Sequence, residues 1–362
     1  MNRISSSFRV AVIGAGIAGA TCARALSLAG LDVHVVDKAR GAGGRLATRR
    51  LEWQDPAGRR RITALDHGAP AFTATSDFRR FLAAASAPGG LAEWTPTLAV
   101  GSRPLDDAGP LYVPCPDMPS LCRGVLRDIA ATWSFAVDRL LRGPRGWQLE
   151  AVGSMLPGYF DALVLALPPA QAAPLLAPYR PDWAQAASLV PMQPCWTLMG
   201  VSRRPAADRR WDVARPGQGP LDWIVRNNAR PGRESVADEA HWVLHARADW
   251  SRQHLEEPSS WVQAQMEAAM QDWLGEPIEW QHVVAHRWRY AMPQPSAAAR
   301  ARQCWWDAAA GLGVCGDFLG AAGVEGAWLS AQALIESVLD RVATAHAQQT
   351  PTDLPAVEVP AS

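Results

Sequence analysis

A glycine-rich turn near the N-terminus constrains the fold of this chain more than any other feature. Gly14, Gly16 and Gly19, spaced as G-x-G-x-x-G, follow a short run rich in β-branched residues and precede a helical stretch. A second apolar run comes after that stretch and ends in Asp37, 18 residues beyond Gly19. This order predicts a β-α-β unit that binds a dinucleotide, because such units consist of a strand, a glycine turn, a helix and a second strand that ends in an acid.

Each part of this turn has a physical role in holding a pyrophosphate. Gly14 permits the tight turn, Gly16 lets the backbone approach the pyrophosphate, and Gly19 lets the helix pack closely on the strand. The helix N-terminus offers unpaired N–H groups and a partial positive charge to the phosphates. Asp37 is expected to accept hydrogen bonds from ribose hydroxyls, which disfavours a 2′-phosphate at that position. The predicted cofactor residues here are Gly14, Ala15, Gly16, Ile17, Ala18, Gly19, Asp37 and Lys38.

Two further motifs carry a family resemblance. The chain reads K-A-R-G-A-G-G-R-L-A-T from Lys38 and D-H-G-A from Asp66. Both segments resemble the flavin amine oxidase superfamily, and in particular its renalase branch. The resemblance implies non-covalent FAD and an α/β fold, with a Rossmann-like FAD-binding domain of the glutathione-reductase/amine-oxidase type and a second, mixed-sheet substrate domain. It places Arg45 near the pyrophosphate and the Gly-Gly pair close to the flavin. The cofactor residues that it adds here are Gly43, Gly44, Arg45, Leu46, Gly68 and Ala69.

Later segments continue the resemblance. Asp117 is expected to cap a helix running to about Ala131, and a strand over 132–141 is expected to offer a backbone contact to adenine at Val137. Near the C-terminus, G-D followed by V-E-G-A resembles the segment that closes the flavin site. It implies that Asp317 accepts hydrogen bonds from the ribityl chain, and that a helix N-terminus near Gly326 stabilises the partly anionic reduced flavin. These segments add Val137, Gly316, Asp317, Val324 and Gly326 to the cofactor residues.

The order of these segments predicts two interleaved domains. The FAD-binding domain is predicted to be discontinuous, comprising 1–75, 112–170 and 284–345. The substrate domain is predicted over 76–111 and 171–283, where Pro-rich loops and alternating strands prevail. One helix in it, opened by Pro258 and ended by Gly275, carries an apolar stripe that is typical of core packing. Residues 346–362 are expected to form a disordered tail.

Resemblance to renalases also implies the chemistry. The expected substrates are dihydronicotinamides that carry their hydride at ring position 2 or 6, oxidised to NAD(P)⁺ by hydride transfer to flavin N5, with dioxygen reduced to hydrogen peroxide. Hydride loss yields an aromatic pyridinium directly, so no general base is needed. The candidate pocket residues are Trp223, Asn227, His245 and Trp288. Strand alternation puts His286, Trp288 and Tyr290 on one face and Arg287 and Arg289 on the other, and it leaves open which face meets the flavin.

The single lysine of the chain, Lys38, bears on the alternatives. Many amine oxidases of the superfamily place a lysine against a water at flavin N5, whereas Lys38 follows the ribose-binding acid at the adenosine end. An amine oxidase or a desaturase on the same fold, and a flavin-binding protein without turnover, remain the alternatives. His241 and His245 do not suggest a metal site, because i and i+4 on a strand lie about 13 Å apart. No metal is therefore expected.

Charge and cysteine content exclude other classes of partner. Lys plus Arg and Asp plus Glu are both 35, which gives no case for binding nucleic acid or an anionic membrane surface. The six cysteines include no C-x-x-C pair, and no stretch of eighteen apolar residues is free of breakers. We therefore expect a cytoplasmic protein with reduced thiols.

Overall fold

A six-stranded sheet forms the first part of the protein in a computed structural model, which describes residues 8–105, 109–204, 211–294 and 303–349. With all strands numbered in chain order, its members are β1 (Arg9–Ile13), β2 (Asp32–Val36), β7 (Ala130–Thr132), β11 (Ala162–Leu165), β17 (Trp305–Asp307) and β18 (Leu312–Val314). The spatial order is β17-β18-β11-β1-β2-β7, and every pairing is parallel except that of β17 with β18. The central strands β1 and β11 are almost fully buried, as expected for a parallel sheet covered on both faces.

Helices cover both faces of this sheet. Val10 and Val12 of β1 pack on one side, whereas Ala11 and Ile13 pack on the other, because successive side chains of a strand point in opposite directions. The first side carries α1 (Ile17–Leu28), α2 (Ser76–Ala85), α3 (Ser120–Val125) and α8 (Val324–Gln349). The second side carries α4 (Pro169–Leu176), α5 (Pro181–Ser188) and the small sheet of β8 (Arg139–Gly143), β9 (Gly146–Ala151) and β10 (Ser154–Met155).

A second, antiparallel sheet has five strands in the order β13-β14-β15-β12-β16. Its strands are β12 (Met192–Arg203), β13 (Val213–Ala214), β14 (Leu221–Arg226), β15 (Glu239–Ala246) and β16 (Trp280–Pro293). One face packs on α7 (Ser259–Leu274), and the other packs on the hairpin of β3 (Thr48–Gln54) and β4 (Arg60–Asp66). The short α6 (Ala248–Gln253) follows β15, and β5 (Leu91–Trp94) pairs with β6 (Leu111–Pro114).

The predicted fold class is confirmed, because a Rossmann-like α/β unit is joined to a second sheet. The predicted helix that ends at Gly275 is also confirmed, and Gly275 takes the left-handed conformation that terminates helices. Within the described ranges, no helix combines the length and the apolar character that crossing a bilayer requires.

Several predicted boundaries differ from the structure. The boundary at 284 falls inside β16, which pairs with β12 in the second sheet as far as Pro293, so the chain returns to the first sheet only at β17. Phe78 and Leu82 of α2 pack in the core of the first sheet, and α4 and α5 pack on that sheet too, whereas the sequence predicts 76–111 and 171–283 as substrate domain. α8 continues to Gln349, past the predicted start of the tail at 346, and 350–362 lie outside the described residues.

The region around Val137 also differs from its prediction. The expected strand over 132–141 is wrong, because β7 ends at Thr132 and β8 begins at Arg139, with Val137 in the connection between them. The backbone turns there to meet the end of β2, since the Phe135 N–H donates to the Asp37 carbonyl. Asp117 lies just before α3 and accepts from the Ser120 N–H at 3.1 Å, but Pro119 is the N-cap residue and the helix ends at Val125 rather than near Ala131.

Candidate functional site

The turn between β1 and α1 is built on two glycines that the protein itself requires. Gly14 has φ of +109°, and a Cβ added to it would lie 2.4 Å from the Ala166 carbonyl oxygen. A Cβ on Gly19 would lie 1.9 Å from the Gly14 carbonyl oxygen. No side chain fits at either position, so these two glycines fix how closely α1 packs on the strands.

Gly16 differs, because no protein atom demands a glycine there. Its φ is −76°, which any residue adopts, and the nearest protein atom to an added Cβ is the Gly44 Cα at 3.8 Å. Gly16 is the N-cap residue of α1, and no side chain caps the helix. The first N–H groups of α1 therefore lie beside space that a side chain would fill, which is the arrangement that helices use to bind phosphate.

Asp37 follows β2 and lies beside this turn. One carboxylate oxygen accepts from the Ala15 N–H at 2.6 Å and the other from the Ala39 N–H at 2.7 Å. Each oxygen keeps a lone pair that can accept from a ribose hydroxyl. Lys38 points elsewhere, and its Nζ donates to the Gln171 side chain of α4 at 3.2 Å.

The Gly43–Gly44 pair closes the opposite side of the turn. Both residues have positive φ, and a Cβ on Gly44 would lie 3.0 Å from the Gly16 Cα. A Cβ on Gly43 would lie 2.6 Å from the carbonyl oxygen of Leu46, a buried residue. The Gly43 N–H donates to the Ala15 carbonyl at 3.0 Å. The two glycine motifs thus meet backbone to backbone.

Arg45 joins the N-terminal motif to the C-terminal one. Its guanidinium donates two hydrogen bonds to the carboxylate of Asp317, at 2.8 and 2.6 Å, and a third to the Ala291 carbonyl of β16. Asp317 is 2% exposed and also accepts from the Gly323 N–H. The residues predicted to contact the pyrophosphate and the ribityl chain are therefore paired with each other.

The remaining predicted cofactor residues lie along the same edge. A Cβ on Gly68 would lie 2.0 Å from the Arg45 carbonyl oxygen, which accepts from the Ala69 N–H at 3.0 Å. The Gly316 N–H donates to Ser330 Oγ of α8 at 2.9 Å. At the start of α8, where Val324 is the first residue, a Cβ on Gly326 would lie 1.6 Å from the Ala321 carbonyl oxygen. Gly326 therefore serves the tight turn that brings α8 to the site.

A cluster of histidine and tryptophan rings lies next to Gly68. The Trp288 indole N–H donates to the His67 carbonyl at 3.0 Å, and the rings of His67, His286 and Trp288 lie 4.9–5.1 Å apart between centroids. On the other side of β16, Arg287 and Arg289 both bind Glu256. The face that carries His286 and Trp288 is thus the one turned to the site, which the sequence had left open.

Burial lowers the pKa values of the histidines around Gly68. It lowers the pKa of His67 to about 3 and that of His245 to about 4, with neighbouring positive charge from Arg49 and Arg230 respectively adding to the effect. Burial and Arg49 also lower the pKa of His286. The His245 Nε2 lies 2.9 Å from the Gly68 carbonyl oxygen, so Nε2 carries the proton and Nδ1 is an acceptor.

The two other predicted pocket residues have different places. Trp223 of β14 pairs with His245 across the sheet, and the Arg215 guanidinium lies 4.4 Å from its ring centroid. Asn227 is 1% exposed and binds the backbone of β4, accepting from the Asp66 N–H and donating to the Ala64 carbonyl. Both the oxygen and the nitrogen of its amide are therefore hydrogen-bonded to the hairpin, and its place in the pocket wall stays a prediction.

Sequence reasoning missed a buried ionic cluster beneath this site. The Asp66 carboxylate, 1% exposed, accepts from Arg230 Nη1 at 3.0 Å, from Arg233 Nε at 2.8 Å and from the Thr48 hydroxyl. Burial opposes ionisation of Asp66, but the two arginines outweigh it and lower its pKa. Asp66 immediately precedes the two carbonyls that hold Trp288 and His245. The sequence contains both partners, Asp66 in D-H-G-A and the two arginines in the segment Arg230-Pro-Gly-Arg233, but nothing in it indicates that they form ion pairs.

Comparison with known proteins agrees with this geometry. Residues 12–85 match the family model of the NAD(P)-binding Rossmann-like domain. The match agrees with the Rossmann-like fold of the first sheet. A solved structure provisionally named a protoporphyrinogen oxidase, from Exiguobacterium sp. 255-15, superposes with a TM-score of 0.69 at 11% identity, covering 92% of this chain and 99% of the other.

Two further solved structures resemble the chain over a similar extent. An oxidoreductase from Methanosarcina mazei gives a TM-score of 0.57 at 13% identity, over 91% of this chain and 100% of its own. A putrescine oxidase redesigned in its cofactor binding gives 0.56 at 14% identity, over 93% and 99%. At these identities the likeness concerns the fold, and it extends across both sheets.

Proposed function

We propose that the protein is an FAD-dependent oxidoreductase of the renalase type, which oxidises the 2- and 6-dihydro isomers of NAD(P)H. The observation that carries the cofactor assignment is the cradle at Gly16, where an uncapped helix N-terminus faces a backbone wall at Gly44 and a Cβ would fill the space between. Asp37 suits the adenosine end of a dinucleotide, and the pair of Arg45 and Asp317 suits the other end. The proposed binding is non-covalent.

A bound flavin supplies the acceptor for the hydride, and the protein supplies binding and orientation. Flat rings at His67, Trp223 and Trp288 offer surfaces against which a dihydronicotinamide ring packs. With pKa values of about 3 and about 4, His67 and His245 are neutral at pH 7 and do not protonate the ring. None is required to act as a base, because the substrate loses a hydride with its electron pair and becomes an aromatic pyridinium. Dioxygen then takes up two electrons and two protons to give hydrogen peroxide.

Amine oxidation on the same fold is the competing candidate. It is disfavoured because Lys38, the only lysine, binds Gln171 on α4 and not the ring cluster. A flavin-binding protein without turnover is the third candidate. Within the described residues, no group of three or more His, Cys, Asp or Glu side chains is placed to hold a metal ion. The proposed location remains the cytoplasm.

Three compounds separate these candidates when mixed anaerobically with the purified protein. We expect the protein to be yellow and to release FAD on denaturation. The flavin colour should bleach with 6-dihydro-NAD and hardly change with ordinary 4-dihydro-NADH. Bleaching by putrescine or another simple amine would establish amine oxidation instead, and no bleaching by any of them would favour the non-catalytic candidate. A colourless protein that does not take up FAD would refute the cofactor assignment.

A further inference from the structure

The carboxylates around the ring cluster are all engaged by arginines. Asp66 is held by two buried guanidinium groups and Asp317 by one, that of Arg45. Asp222, next to Trp223, binds Arg103 and also lies 3.3 Å from Arg215. Since none of these three carboxylates is left without an arginine, they offer little attraction to a protonated amine.

Arg49 adds a further positive charge at the rim of this site. It lies on β3 opposite Leu65 of β4, and His67 comes two residues after Leu65, just past the end of β4. Diagonal positions of paired strands lie about 7–8 Å apart, which is within reach of a long side chain. Its charge acts on His67 and on His286, and it lowers the pKa of both. Arg49 brings the number of guanidinium groups here to four, since Arg45, Arg230 and Arg233 are also present. Only two carboxylates, those of Asp66 and Asp317, balance these four positive charges.

The Arg49 side chain is exposed and has no ion pair or hydrogen bond to any residue that the structure describes. It shares a strand face with Leu51 and Trp53, which pack on the second sheet, whereas Arg50 points to the opposite face. Arg50 is also exposed, so the two neighbours differ mainly in the direction of the guanidinium group. Arg49 is thus turned toward the site and available to an incoming anion.

We infer that Arg49 binds the phosphate of the substrate and makes the site selective for anion-bearing substrates over ammonium compounds. The inference rests on the proposed function for the identity of the substrate ring. Guanidinium groups bind phosphate oxygens through directed, charge-assisted hydrogen bonds, which are stronger than neutral ones. A substrate that carries its reactive ring on a phosphorylated ribose would be held at one end by Arg49, with the ring directed toward Trp288 and His67.

Two oxidised probes that differ by one phosphate test this inference without turnover. Nicotinamide mononucleotide and nicotinamide riboside would be titrated into the FAD-saturated protein by calorimetry. We expect the mononucleotide to bind about tenfold more tightly, as for one charge-assisted hydrogen bond, and Arg49→Gln to remove that preference. Arg49→Glu should reverse it, whereas Arg50→Gln should retain it. Added salt should reduce the ratio between the affinities of the mononucleotide and the riboside in the unmodified protein.

The same variants separate this inference from the proposed function. In steady-state oxidation, Arg49→Gln should raise KM about tenfold for 6-dihydronicotinamide mononucleotide and leave kcat, and the KM for the corresponding riboside, nearly unchanged. If the dihydro compounds are not oxidised but the probe preference still depends on Arg49, the proposed function fails and the anion site stands. An unchanged preference in Arg49→Gln, or an equal loss in Arg50→Gln, would overturn the inference.

Discussion

Replacing Gly16 by alanine is expected to separate cofactor binding from folding. The backbone of Gly16 has φ of −76°, and the added methyl would lie no closer than 3.8 Å to any protein atom. The change restricts the unfolded chain, which favours folding by about 0.4–1 kcal/mol, but alanine is a poorer N-cap residue than glycine by a similar amount, so the free energy of unfolding of the apoprotein should change by less than about 1 kcal/mol. The methyl would nevertheless occupy the space in front of the α1 N-terminus. Each hydrogen bond to a charged phosphate that it prevents is worth about 1.5–3 kcal/mol, or roughly ten- to a hundredfold in affinity.

Gly14→Ala provides the matched control, because it should lower the stability of the apoprotein itself. Gly14 has φ of +109°, and an added Cβ would lie 2.4 Å from the Ala166 carbonyl oxygen even without a cofactor. The backbone conformation alone costs a side chain about 1–3 kcal/mol, and the contact adds to that cost. Urea unfolding of the apoproteins and FAD titration followed by flavin fluorescence give the two readouts. Gly16→Ala with unchanged FAD affinity would refute the placement of the pyrophosphate, and Gly14→Ala with full stability would refute the packing argument.

Two further predictions concern the buried titratable groups. His67 and His245 have pKa values of about 3 and about 4, below the 6.5 of a free histidine, so the unfolded state binds more protons between these limits. Their stabilising contribution is fully present above about pH 6.5 and is lost as the pH falls, by about 2 kcal/mol for each histidine at pH 5. Urea unfolding at pH 8 and pH 5 should show this loss, and His67→Gln should make the loss smaller by about 2 kcal/mol. Asp66→Asn leaves two buried guanidinium groups without a carboxylate and should lower the free energy of unfolding by about 3–5 kcal/mol. Adding Arg230→Met should restore part of the loss, and simple additivity of the two changes in a double-mutant cycle would contradict the ionic coupling.

The parts of the fold that sequence reasoning predicted are those governed by local geometry. The turn at Gly14 and Gly19 could be recognised because Gly14 takes a positive φ and Gly19 packs against the Gly14 carbonyl oxygen, and both requirements arise within one strand-turn-helix unit. The helix ending at Gly275 was found from spacing and from its end signals. The strand predicted through Val137 was wrong because apolar residues there pack on the core from an irregular connection, and a short apolar run does not distinguish the two.

The parts that sequence reasoning missed depend on contacts between distant segments. Asp66 and Arg230 are 164 positions apart, and only the docking of the β3–β4 hairpin on the second sheet brings them together. The same docking brings Asn227, a predicted pocket residue, into hydrogen bonds with the backbone of β4. The predicted boundary at 284 lies inside β16 for a related reason, because the family resemblance marks segments and not the sheet in which a strand pairs.

A single anaerobic turnover tests the central claim most directly. The FAD-saturated protein would be mixed with one equivalent of purified 6-dihydro-NAD, and both flavin absorbance and the nicotinamide product would be followed. We expect complete bleaching with one NAD⁺ formed for each FAD, and return of the colour with formation of hydrogen peroxide when air is admitted. A flavin that stays oxidised in the presence of this compound while a simple amine reduces it would refute the proposed function.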